Sequence, residues 1–184
     1  MCVRGGAYAG ACSCAMPNRI TCRTQWFNAH NVHWVWALLE REYRQAAQGI
    51  EDCRALCTPA EFEGLAQRNL GANAGLDLLQ LGALLRFVVH GAAAAAAAAA
   101  AERWPGARQA ARDEAAPALA FGLRAAGAVL QRLLALMRDV DAAAAALAAE
   151  PPYAAEVQAN AACLQQVYTA LERLGLGHVL PRQP

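Results

Sequence analysis

The chain of 184 residues carries 16 basic and 15 acidic side chains, a formal net charge of +1, and every basic residue is arginine. So even a balance provides no field for a polyanion, which argues against direct nucleic-acid binding. Alanine inflates a hydrophobic fraction of 57% that contains only 7% aromatic residues, and because alanine buries little area the core is smaller than that fraction suggests.

Residues 1–19 are small, Gly- and Cys-rich and without period, the pattern of a disordered or misassigned leader. Gly5, Gly6, Gly10 and Pro17 interrupt them, so no continuous apolar segment of a secretory signal is present. The seven cysteines are therefore expected as free thiols in a reducing compartment, the nucleus or cytoplasm. Ile20 to Phe27 (ITCRTQWF) is β-branched and mixed and reads as one short strand. A lone strand cannot satisfy its own backbone donors and acceptors, and the sequence offers no obvious second one.

From Val32 the period becomes helical. Val32, Val35, Leu39, Tyr43, Ala46 and Ile50 share a face, and the stripe can continue through Cys53 to Cys57. Thr58-Pro59-Ala60-Glu61 starts a second helix, with the Thr hydroxyl capping the Glu61 amide, Glu61 reaching back, and Pro59 where no donor is needed. This helix carries Phe62, Leu65 and Leu70 and ends in the Gly71/Asn73/Gly75 cluster. Asp77 caps a third helix from Leu78 to about His90.

Residues 92–118 are low in complexity. The alanine run from Ala92 to Ala101 has the best helix propensity but no large side chain to dock. It reads as an unselected expansion, with extension of the third helix as the alternative. Leu119, Leu123, Ala126, Leu130, Leu133 and Met137 then recover a helical stripe, and after Pro151-Pro152 so do Val157, Leu164, Val167, Leu171 and Leu174, stopping at Gly175. Two such helices form an antiparallel pair over 119–176 whose stripes bury against the first three helices or another chain. Residues 177–184 are a tail. The longest apolar stretch, Leu78 to Ala101, contains Arg86 and His90, which argues against a membrane span.

Candidate chemistry is sparse. His30 and His33 can share a metal only if a third ligand joins them, and Cys22 is the nearest soft donor. The plainer reading makes them polar residues at a helix entry. Cys53 and Cys57 are four apart, with Cys163 distant, and read as buried, inert thiols. Cys12 and Cys14 lie in the leader. Carboxylates two apart on helices (Glu40/Glu42, Glu61/Glu63, Asp139/Asp141) point away from each other. No catalytic, cofactor-binding or metal-binding residue is assigned.

One stretch resembles a known family. Trp26-Phe27-Asn28-Ala29-His30-Asn31, then Trp34-Val35-Trp36, Leu38-Leu39 and Tyr43, are similar to a segment of the Jumonji-C oxygenases. So are Ile50-Glu51-Asp52, Arg54, Cys57, Phe62-Glu63, Gln67-Arg68-Asn69-Leu70, Ala72-Asn73, Gly75 and Arg86-Phe87. The similar branch contains a translation-termination-factor lysyl hydroxylase and plant relatives described as histone arginine demethylases. The resemblance implies that Ile20–Phe27 (within 20–31) is the last strand of a barrel whose remainder is missing, and that 32–91 is its helical C-terminal extension. It also implies Fe(II) and 2-oxoglutarate in the parent enzyme, the metal held by a His-x-Asp/Glu and a distal His upstream of that strand. Residues 1–19 contain no His, Asp or Glu. Where the branch reads Ile-Ser-Ile-Asn-His-Asn-Trp, this chain reads Ile20-Thr21-Cys22-Arg23-Thr24-Gln25-Trp26.

The resulting expectation is a mainly α, bundle-like piece of such an oxygenase, a truncated product or an incomplete gene model, inactive alone. Its partners would be a protein substrate or a second copy engaged through amphipathic helices. The alternative is a non-catalytic helical interaction or dimerisation module.

Overall fold

Capping and periodicity dictate the helices, and the computed structural model follows them closely. It describes residues 27–101 and 107–176, with side chains over 27–98 and 116–176. The expected strand, except Phe27, lies outside the described residues, as do the leader, Cys22 and the tail. The described residues form five α-helices and no strand: α1 (Val32–Gly49), α2 (Pro59–Ala74), α3 (Leu78–Ala101), α4 (Ala107–Ala146) and α5 (Ala154–Arg173), with a 3-10 helix at Glu51–Ala55 between α1 and α2.

The caps form as the sequence predicts. The Thr58 hydroxyl accepts from the Glu61 amide, Glu61 accepts from the Thr58 amide at 2.9 Å, and Pro59 opens α2. Asp77 accepts from the Gln80 amide at 2.7 Å while the Gln80 side chain accepts from the Asp77 amide. Gly75 and Gly175 adopt the left-handed backbone that ends α2 and α5 (φ 76 and 74). Ala148 does the same work after α4 at φ 53, a conformation that strains any residue with a Cβ.

Three boundaries depart from the sequence reading. The α1 stripe does not run to Cys57: the helix stops at Gly49, a poor helix former, and the chain tightens into the 3-10 helix. The third and fourth helices are far longer than their large side chains suggest, 24 and 40 residues, because alanine propagates a helix without needing to dock. Pro117 sits inside α4 without breaking it.

The alanine run does dock. Ala96 is fully buried and Ala92 and Ala93 pack against the core, while Ala94 and Ala95 face solvent. Small side chains let helix axes approach closely, and α3 packs most extensively against α5. Gly82 shows the same closeness nearer the start of α3, since a Cβ there would lie 3.2 Å from the Asn160 amide.

The stripes of α4 and α5 bury against the first three helices. Trp36, Leu39, Leu70, Leu85, Leu130 and Val167, drawn from all five α-helices, belong to one core cluster. In α1 the deepest face is Val32, Trp36, Leu39, Tyr43 and Ala46, so Trp36 occupies the core position that the spacing assigns to half-buried Val35. By length and composition α3 and α4 could each cross a membrane, but both contribute fully buried side chains to this shared core.

Leucine introduced at buried Ala96 should destabilise the chain by about 1–3 kcal/mol through overpacking. The same change at exposed Ala95 should stay within about 0.5 kcal/mol. Urea denaturation of both variants checks the docking of the alanine run.

Candidate functional site

His30 and His33, weighed in the sequence as a possible metal pair, join no third donor among the described residues, and Cys22 lies outside them. His30 is exposed in the turn before α1, where its ring lies 4.7 Å from that of Phe121 on α4. His33 is also exposed, and its ring lies 4.9 Å from that of Trp34, tilted by 43°. Their shared setting is a helix entry: the Asn28 side chain accepts from the amides of His30 and Asn31, and the Asn31 side chain accepts from the Asn28 amide. His90, on α3, has Nδ1 3.0 Å from Gln166 Oε1.

Cys163 is buried, and burial pushes its thiol up from the ordinary value. Cys53 and Cys57 are half-buried rather than buried, because the segment carrying them left the helical stripe for the 3-10 helix. The Asp52 carboxylate beside Cys53 pushes that thiol up as well, away from the thiolate that a metal or an electrophile needs. Among the described residues, no three His, Cys, Asp or Glu side chains come together as a metal site. An Fe(II) centre of the kind the resemblance implies needs three converging donors, so the residues described here do not fit one.

What the fold does assemble is a buried polar network around Glu63. The three carboxylate pairs diverge as their spacing dictates. Glu40 pairs with Arg44 at 2.6 Å and Glu42 with Arg41 at 2.9 Å; Glu61 caps α2. Asp141 accepts from the Tyr153 amide at 2.7 Å, tethering the start of α5 to α4. Glu63, two residues past the cap, turns inward and is only 7% exposed. Its carboxylate accepts from the Tyr43 hydroxyl of α1 at 2.9 Å and from the Tyr153 hydroxyl at 2.8 Å. Gln67, one turn along, donates to the Tyr153 oxygen at 2.5 Å and accepts from the Leu78 amide at 3.0 Å, satisfying a first-turn donor of α3.

Sequence reasoning misses this network because Glu63 and Tyr153 are 90 residues apart. The available signal is an aromatic with a polar tip beside the Pro151-Pro152 break, a residue type that buries only with a partner. Burial first, and then the Glu63 charge, drives both tyrosine hydroxyls above their ordinary ionisation range.

Beside the network lies an open groove of about 600 Å³ between the C-terminal half of α1, the 3-10 helix, the start of α2 and the end of α4. Tyr43, Phe62 and Glu63 line it, as do the apolar Val140 and Ala144 of α4 and Leu147 just past its end. At this groove the Arg54 guanidinium lies 3.9 Å over the Phe62 ring and donates to Glu51 at 2.7 Å. The pairing lowers the Glu51 carboxyl below its usual range and raises Arg54.

Comparison with known proteins adds one relationship. The arginine-specific demethylase JMJ20 of Arabidopsis thaliana is 41% identical to this chain over 63 residues. The matched stretch is 34% of this chain and only 13% of that relative. It supports a Jumonji-C-related stretch within the chain. No protein-family model matches, and no solved structure does.

Removing the Tyr153 hydroxyl (Tyr153→Phe) strips one donor from the buried Glu63 carboxylate and the acceptor from Gln67. It should cost about 1–3 kcal/mol in urea denaturation. The folded chain holds both hydroxyl protons more tightly than the unfolded chain. Their stabilising contribution is therefore complete below pH about 10 and falls as pH rises past it. A denaturation series from neutral to about pH 11 should show this alkaline loss, and Tyr153→Phe should flatten it.

Proposed function

We propose that this chain supplies the helical portion of a Jumonji-C-type oxygenase that uses Fe(II), dioxygen and 2-oxoglutarate to hydroxylate or demethylate a protein side chain. In this reading the chain itself holds no iron. The observation that carries it is the 63-residue similarity to a demethylase of which this chain matches only 13%. Residues 32–91 would be the extension that follows the barrel, and the similar branch would be that of the termination-factor lysyl hydroxylase and its plant relatives. The neighbours of His30, His33 and His90, namely Phe121, Trp34 and Gln166, support a role in scaffolding rather than in metal chemistry. A protein substrate or a second copy would be the partner, in the nucleus or cytoplasm. The Arg86 guanidinium, bonded to Glu156 and Asn160 at 2.7 and 2.6 Å, supports a water-facing bundle over a membrane span for α3.

A second reading, a free-standing helical interaction module, draws support from the single core shared by all five helices. The genomic sequence upstream of Met1 separates the two. An in-frame His-x-Asp with a distal His before Ile20 favours the oxygenase, and a stop codon in that frame favours the module.

Incubated with Fe(II), ascorbate and 2-oxoglutarate, the purified chain should release no more carbon dioxide than buffer. Turnover that disappears in His30→Ala or His33→Ala would contradict this account.

A further inference from the structure

The groove beside Glu63 is already occupied by a cation of the chain's own. Arg54 belongs to a 3-10 helix of five residues, its side chain is 55% exposed, and its guanidinium sits 3.9 Å from the centroid of the Phe62 ring. Three carboxylates line the same groove, Glu51, Glu63 and Asp139, against two guanidiniums, Arg44 and Arg54. Arg44 is committed outward to Glu40 at 2.6 Å. With Arg54 swung away, the groove presents an aromatic face and the carboxylates of Glu51 and Asp139 without a counter-cation, while Glu63 stays behind them, held by the Tyr43 and Tyr153 hydroxyls.

We propose that this groove binds the arginine side chain of a partner protein segment, and that Arg54 is an intramolecular stand-in which the incoming guanidinium displaces. A guanidinium fits better than an ammonium. It is planar, weakly hydrated and stacks on a ring face, and Glu51 can take two of its N–H donors together. Val140, Ala144 and Leu147 provide an apolar wall for the methylene stem. Leu147, 74% exposed, lines the groove as an apolar contact for a residue flanking the arginine, a contact that free arginine cannot use. The volume of about 600 Å³ suits one long side chain with part of its backbone. Nothing in this cage depends on a relationship to an oxygenase.

The test uses the full chain, a blocked Leu-Arg-Leu peptide and its counterpart with citrulline in place of arginine, followed by amide chemical shifts. Glu51→Gln and Arg54→Ala alter exposed side chains, so both variants should keep the wild-type helical circular dichroism. The wild type should bind the arginine peptide weakly, with shifts at Phe62, Cys57 and Leu147. Arg54→Ala should bind it about fivefold tighter, because the competing cation is gone. Glu51→Gln should bind more weakly, and the citrulline peptide should not bind. A folded Arg54→Ala that binds no tighter than the wild type overturns the displacement. Equal binding of the citrulline peptide overturns the cation site, and equal binding of free arginine overturns its assignment to a protein segment.

Discussion

The carboxylate of Glu63 is the constraint around which this bundle is arranged. A carboxylate this far from water costs several kcal/mol unless its oxygens find donors. Here both donors are tyrosine hydroxyls from other helices: Tyr43 from α1 and Tyr153 from the residue that opens α5. One side chain of α2 thus fixes the relative positions of α1, α2 and α5. The tethers continue outward through Gln67 to the first amide of α3 and through the Tyr153 amide to Asp141 of α4. Every helix therefore has a directional bond to this cluster, whereas the apolar contacts that supply most of the burial are non-directional.

The second half of the bundle is held by closeness rather than by polar geometry. Gly82 admits Asn160 to within 3.2 Å of where a Cβ would lie, and Asn160 in turn accepts from Arg86 at 2.6 Å and donates toward Met137 Sδ at 3.6 Å. Two turns further along α3 the same face carries Val89, and two turns beyond that Ala96, both fully buried. Alanine-rich helices gain little from each side chain, but where the axes approach closely they recover contact along the backbone itself.

What the sequence discloses and what it hides follow from the range of the interactions. Caps are local, so Thr58/Glu61, Asp77 and Gly175 are legible within four residues. The stripes of α4 and α5 are legible because burial repeats at helical spacing: Leu123, Leu130, Leu133, Met137, Val167 and Leu171 are all buried. Glu63 is hidden, since nothing near it in the chain says that a charged residue turns inward, and its justification stands 90 residues away. The docking of Ala96 is hidden for a related reason, because alanine carries no signal of which face is inside. Trp36 is masked by Val35, which fits the same stripe by spacing, although Trp36 stands four residues from Val32 and so shares its buried face. Its indole N–H finds no partner among the described residues.

The functional picture joins a Jumonji-C-related stretch to a bundle whose described histidines and thiols do not converge and whose groove beside Glu63 is acidic and aromatic. Its central physical claim is that five helices form one cooperative body through Glu63 and the shared core. Native-state hydrogen exchange on the intact chain tests this most directly. The account predicts one common opening free energy for the slowest amides of α1, α2 and α5, falling together in Tyr153→Phe. Slow amides of α1 and α2 that open independently of α5, or that are untouched by Tyr153→Phe, would contradict it.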